Sequence, residues 1–418
     1  MRLLRPLRQR AIALLWGGLA TSAIGDQLYN VAITWIAVEA LGAAAGYLSA
    51  LQAGMTLLTA LAVGGWADTR DDRSMMIGAD LARALGLALL VAATVAIGRT
   101  PASALIGTVI VLAAGQAIFR PALQSLLPML VPDRAQLPAA NALLDATERI
   151  ARLTGPGLIA ALSGMLAPIA FLALNTATFL VSAAAVWRIG RLSGVLRAPA
   201  PGNALAQVRR GFAAMRRDPL LGFLLATTGI HNGVWYAAMF LGLPLALAAS
   251  GGGGIGEYGL AIASYGVGNL ALNLIVGSRA LPSRPGLLIF GGNLVNGAGL
   301  VLIGAAAGLA GSARTAAICC ASAVAGAGGP MNDIPRATLV QMILPLGESA
   351  ASMRAWMAVN NAGLLLAMGI SPSLVTVFGP RLMVSLCGLV VVVIGLVGLL
   401  RHSAHAPLPP APEPLTIR

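Results

Sequence analysis

Lysine is absent from this 418-residue chain: all 27 of its basic residues are arginine, set against 14 acidic ones for a formal net charge of +13. Without lysine, the glycine run "GGGGIG" at 251–256 cannot be a phosphate loop, which needs a following Lys-Ser/Thr. Cysteine is scarce too. Of the three, Cys319 and Cys320 are adjacent and Cys387 stands alone, all in apolar stretches, so no zinc-type spacing exists and they read as small packing residues. His402 and His405 precede a Pro-rich tail, where solvated tail residues are expected rather than a metal site. Apolar stretches hold no nucleophile-base constellation, so neither an enzyme nor a cofactor is expected.

Charge of either sign is the largest deficit. Charged residues make up 10% of the chain and apolar ones 58%, whereas a soluble domain carries roughly 25% charged residues. Mean hydropathy is +0.84. No core could hide this much apolar surface from water, so the solvent must be lipid. The runs do not alternate as barrel strands do. They suit helices of roughly 20 apolar residues or more.

The pattern predicts an all-α membrane protein with twelve spans, at about 11–40, 46–66, 74–98, 102–130, 138–164, 167–190, 218–249, 256–280, 286–310, 313–344, 347–372 and 379–401. Residues 1–190 form one six-helix bundle and 218–401 a second, joined by a polar linker at 191–217 and followed by a disordered tail at 402–418. The N-terminal "MRLLRPLRQR" with its apolar run resembles a signal peptide, but the run continues past Asp26 to Leu41, so it reads as a retained span.

Arginine sorts by loop. Arg2, Arg5, Arg8, Arg10, Arg70, Arg73, Arg134, Arg197, Arg209, Arg210, Arg216, Arg217 and Arg284 fall on one side; only Arg99, Arg314 and Arg381 fall on the other. The positive-inside rule then places both termini in the cytoplasm of a bacterial inner membrane. A nucleic-acid partner would need a soluble basic face, and there is none.

The two halves repeat. Pro121 and Pro132 correspond to Pro335 and Pro345, and Gly155-Pro156 to Ser371-Pro372. In the first span Asp26 and Asn30 are four apart; in the seventh, Asn232 and Tyr236 are four apart. Two such repeats suit a transporter that rocks about a central site.

Polar residues recur every four positions within spans: Gln52 with Thr56, and Tyr265 with Asn269 and Asn273. Lipid offers such stripes no partners, so they must face a cavity or another helix. Asp26 sits in mid-span beside Gln27 and Asn30. Desolvation favours the neutral form of a carboxyl at that depth, which suits a proton carrier; the alternative is a carboxyl satisfied by neighbouring amides. His231 opens the matching stretch of the seventh span and is either a carrier or a hydrogen-bonded packing residue. Together Asp26, Asn30, Gln52, His231, Asn232, Tyr236, Tyr265 and Asn269 outline an amphiphilic cavity.

"LLDATERIARLTGP" (143–156) places four charges at the start of the fifth span. Asp145 with Arg149, and Glu148 with Arg152, are acid-before-base pairs at helical spacing. A lone Arg at bilayer depth costs about 3 kcal/mol or more, so it is usually paired or faces a wet cavity. The four form either a charge latch grading into the cavity wall or a solvated helix end.

The order of spans and "GGWADTRDDR" (64–73) resemble the major facilitator superfamily and its loop motif. The closer resemblance is to its export branch of enterobactin-type siderophore exporters and macrolide efflux proteins, through "GDQLYNVAITW" (25–35), "GGWADTRDDRSMMIGADLARAL" (64–85), "FRPALQSLLPMLVPDRAQLPAANALL" (119–144) and "TGP" (154–156). It implies that Gly64, Asp68 and Arg73 form a cytoplasmic gate, although Thr69 and Asp72 stand where the family has bases. Gly155 and Pro156 resemble the helix-kink motif of family antiporters, without its second glycine. The expected function is proton-coupled export of a small amphiphilic molecule by a monomer in the bilayer. The alternatives are a lipid or lysolipid flippase and a non-transporting scaffold.

Overall fold

The computed structural model describes residues 5–67, 71–131, 136–189, 204–250 and 254–402. Among them are helices α1 (Arg10–Leu41), α2 (Ala45–Ala67), α3 (Asp72–Ile97), α4 (Ala102–Leu130), α5 (Leu137–Leu162), α6 (Pro168–Arg188) and α7 (Ala204–Met215). Then come α8 (Pro219–Ala237), α9 (Leu243–Ala249), α10 (Ile255–Gly277), α11 (Pro285–Ala306), α12 (Gly311–Ile343), α13 (Leu346–Phe378) and α14 (Pro380–His402). One π turn, Ala238–Gly242, joins α8 to α9, so these two make a single span. With α7 set aside, the described helices give twelve spans.

The helices sort into two bundles with matching internal packing. In the first, α3 packs on α4 and α6, and α1 on α5 and α6. In the second, α11 packs on α12 and α14, and α8 on α13 and α14. The main contacts between bundles are α5 with α10 and α2 with α13, which the pseudo-twofold relation exchanges. Outward faces stay apolar: Leu81, Leu85 and Leu89, four apart on α3, are all exposed, as suits a helix whose solvent is lipid.

Small residues set the helix spacing, as expected where packing rather than hydrophobicity drives association. A Cβ built on Gly363 of α13 would overlap the carbonyl of Gly229 on α8, whereas one on Gly369 meets nothing within 4 Å. Gly363→Val should therefore lower the melting temperature of the detergent-solubilised protein by an amount matching about 1–3 kcal/mol of overpacking. Gly369→Val should melt close to the parent; equal melting of the two variants would refute this packing account.

Four sequence expectations need correction. The linker is not polar loop throughout. Twelve of its residues form α7, which buries Ala214 and Met215 and packs on α13. A short amphipathic helix has no apolar run to reveal it. The eleventh span does not stop at 372: α13 continues to Phe378 with Pro372 inside it, and the Ser371 hydroxyl donates to the Ala367 carbonyl at 2.6 Å, one of the ways a helix tolerates proline at membrane depth. Arg314 is no loop charge, being buried on α12 in an ion pair with Glu257 at 2.8 Å. His402 is no solvated tail residue: it is the last residue of α14 and buried, with its ring 5.1 Å from Phe223. His405 and the rest of the tail lie outside the described residues.

Candidate functional site

The chain's two ends differ. One, the linker end, carries α7, the α2–α3 and α10–α11 turns and the C-terminus of α14; the opposite end carries the α1–α2 and α9–α10 connections. Toward the opposite end the apolar core is one body shared by both bundles: Trp35, Leu48, Ile159, Leu241, Tyr258 and Met368 all belong to it. Trp35 stacks on Tyr258 at 6.2 Å between ring centroids, and the Tyr258 hydroxyl donates to the Met239 carbonyl at 3.1 Å. Toward the linker end the core splits in two. Ile12, Met76, Leu126 and Val186 belong to the first bundle's cluster; Met215, Leu221, Leu339 and Trp356 belong to the second's. Among the described residues the bundles thus share one core toward the opposite end and keep separate cores toward the linker end.

A cavity occupies the space between them. Its first lobe, about 330 Å³, is lined by Asp26, Asn30, Gln52, Thr56 and Gln116. Its second lobe, about 560 Å³, is lined by His231, Asn232, Tyr265, Asn269, Asn273 and Asp333. Gln27, Asn30, Arg120, Tyr236, Phe240 and Ile262 line both, so the lobes are continuous. Every residue that the sequence placed at the substrate site borders this space. The π turn falls beside Trp235 and Tyr236, and Phe240 within it stacks on Tyr236 at 5.1 Å. With Tyr265, whose ring is 5.4 Å from Trp235, they make an aromatic wall.

Asp26 borders both the first lobe and a side branch between α1, α4 and α5 that reaches Asp145 and Glu148. Beneath it, Arg83 is almost wholly buried and paired with Asp80. Its guanidinium lies 4.2 Å from the Phe179 ring centroid and 4.7 Å from that of Phe119, and it donates to Gln116 at 2.9 Å.

The four charges of α5 all pair within the first bundle. Arg149 donates to Asp145 at 2.8 Å. Glu148 is shared, with Arg120 at 3.3 Å and Arg152 at 3.7 Å. Loss of Arg152 therefore would not strand Glu148. Arg149 and Arg152 also line the second lobe, so this exposed helix end is also cavity wall.

Of the gate residues, Arg73 donates to the carbonyls of Val186 (3.2 Å) and Trp187 at the C-terminus of α6, a placement that suits the helix dipole. Gly64 lies within α2, and Asp68 lies outside the described residues. Gly155 approaches Gln27 of α1, and the Pro156 carbonyl faces Gly259 of α10, so this pair marks a three-helix junction.

Sequence reasoning missed Arg120 and Arg336. Arg336 pairs with Asp333 at 3.0 Å and lies 3.9 Å over the Trp356 ring. Each sits beside the early proline of its half, Pro121 or Pro335; the repeat register, read for charge as well as for proline, would have found them.

Solved structures share this architecture. A bacterial homologue of the iron transporter ferroportin in an inward-facing state superposes with a TM-score of 0.72 at 16% identity, covering 94% of this chain and 99% of its own. A POT family transporter in complex with a thioalcohol-conjugated peptide gives 0.69 at 12% identity, with 94% and 96% covered. Another structure of a POT family transporter, with 5-aminolevulinic acid, gives 0.68 at 12% identity over the same shares. At these identities the likeness shows the fold alone. No curated protein sequence matches the chain. The model of a single family spans residues 2–401, nearly the whole of both bundles, and by that match the chain belongs to the transmembrane secretion effector family, membrane transporters of the major facilitator type.

Proposed function

We propose that this transporter is a secondary active exporter that moves a small amphiphilic molecule out of the bacterial cytoplasm by alternating access. The observation that carries the reading is the division of the core: shared at the opposite end, split at the linker end, with a mixed polar and aromatic cavity between. A cavity reached from one side only, between two rocking bundles, is what alternating access requires. The arginine-rich linker end faces the cytoplasm by the positive-inside rule, so the cavity loads from inside. Asp26 exchanges the coupling proton, and Gly64, Asp68 and Arg73 close the linker end. The motifs at 25–35, 64–85 and 119–144 support a siderophore or drug as cargo, as in the enterobactin and macrolide branch.

Inside-out vesicles containing the chain test this. A panel of radiolabelled aromatic acids, alcohols and amines is offered with and without an imposed pH gradient. Accumulation of at least one member, about tenfold or more above its external level and abolished by a protonophore, is expected. Equal levels in vesicles with and without the protein, across the whole panel, would refute the reading.

A further inference from the structure

The second lobe carries an imbalance of charge. Among the described residues Arg120, Arg149, Arg152 and Arg336 line it, against the single carboxylate of Asp333. Asp333 is taken by Arg336 at 3.0 Å and Arg149 by Asp145 at 2.8 Å. That leaves Arg120 and Arg152 dividing one carboxylate, Glu148, at 3.3 and 3.7 Å. Two guanidiniums on one acid leave a positive charge and several N–H donors unanswered at the cavity wall. Their side chains are 58% and 64% exposed, and exposed pairs of this kind are worth about 0–1 kcal/mol. An incoming anion can exchange with Glu148 at little cost. The buried Arg83–Asp80 pair, whose arginine lines the first lobe with Asp26, offers no such exchange. The aromatic side chains of Trp235, Tyr236, Phe240 and Tyr265 line the same lobe. Guanidinium donors without enough acceptors, beside an aromatic wall, fit an amphiphilic ligand that brings acceptors.

We propose that the cavity selects amphiphiles with an anionic head, held by Arg120 and Arg152 on either side of Glu148, with the apolar body on the wall of Trp235, Tyr236, Phe240 and Tyr265. The proposal rests on the reading of this cavity as a substrate site and names the class of substrate. Guanidinium forks match the planar or tetrahedral oxygens of carboxylate, sulfonate and phosphate heads, while aromatic rings supply contact area for an apolar body.

Three naphthalenes of similar size separate charge from shape: naphthalene-1-sulfonate, 1-naphthalenemethanol and 1-naphthylmethylammonium. They are titrated calorimetrically into the detergent-solubilised full chain. The sulfonate should bind about tenfold or more tightly than the ammonium, with the alcohol between. Arg120→Gln and Arg152→Gln should each weaken the sulfonate about fivefold and leave the alcohol unchanged. Glu148→Gln frees both guanidiniums and should tighten the sulfonate, a gain that misfolding cannot mimic. Lysophosphatidic acid distinguishes a lipid-borne head from a soluble one: competition with the sulfonate assigns the anion to a lipid, and absence of competition to a soluble molecule. Equal binding of the two ions, or a Glu148→Gln protein that binds the sulfonate more weakly, would overturn the anion selectivity while leaving the substrate cavity standing. Failure of all three naphthalenes to bind would overturn both.

Discussion

Replacing Asp26 by Asn is expected to abolish gradient-driven accumulation in vesicles while leaving binding and downhill exchange of the same molecule intact. The carboxyl is half-buried in mid-span on α1 and borders the first lobe together with Arg83 and Arg120. It has no hydrogen bond among the described residues, so its proton is not tied to a neighbour. Among the described residues it is also the one carboxyl bordering both the first lobe and the branch toward Glu148. An amide keeps the size and hydrogen-bonding pattern of the protonated acid but cannot release a proton. Coupling should therefore fall to the level of protein-free vesicles, with exchange changed less than about twofold. The measurement is uptake of a panel compound with a pH gradient, set beside counterflow without one. An Asp26→Asn protein that still concentrates the compound would place the carrier elsewhere. Loss of binding in the variant would instead make Asp26 a substrate contact.

The second large effect is on stability. Arg83→Met should destabilise the first bundle by about 3–5 kcal/mol, because removing one partner of a buried ion pair leaves an uncompensated charge. Arg83 is 2% exposed and Asp80 wholly buried. The substitution also removes two ring contacts and the bond to Gln116. Met preserves much of the aliphatic volume that packs against Gly115, so the loss reports charge more than a cavity. Combining Arg83→Met with Asp80→Asn should recover a large part of the loss, since the stranded carboxylate is then gone. Thermal melting of the parent, the two single variants and the double variant gives the coupling directly. Simple additivity would show that the pair does not act as a unit.

Some of this was legible in the residues. The near-absence of charge forced a lipid solvent, and long apolar runs cannot satisfy their backbone in lipid except as helices. Twelve spans and their two-fold repeat follow from that local and periodic information. The polar stripes followed for the same reason: Gln52 with Thr56, and Tyr265 with Asn269 and Asn273, had to face something other than lipid, and they face the cavity. Asp80 and Arg83 stand three apart on one helix, a spacing at which opposite charges meet.

What depends on which helices meet was not legible. Glu148 read as the partner of Arg152, four residues away, yet Arg120 approaches it more closely from α4. No spacing within one helix encodes a neighbour 28 residues distant across a turn. Arg314 looked like a loop charge until the fold buried it against Glu257 of α10, and His402 like tail until Phe223 and Phe290 closed around it. The end at which the cavity opens is likewise a tertiary matter. It depends on whether Trp35 of α1 meets Tyr258 of α10 and whether α5 holds against α10, and a two-state rocking protein can make or break such contacts with one and the same sequence. The sequence by itself determined the solvent, the helices, the polar faces and the ion pairs within one helix, because each rests on local chemistry and periodicity; the tertiary structure alone decided the charge partners on other helices and the open end, because each is a contact between segments distant along the chain.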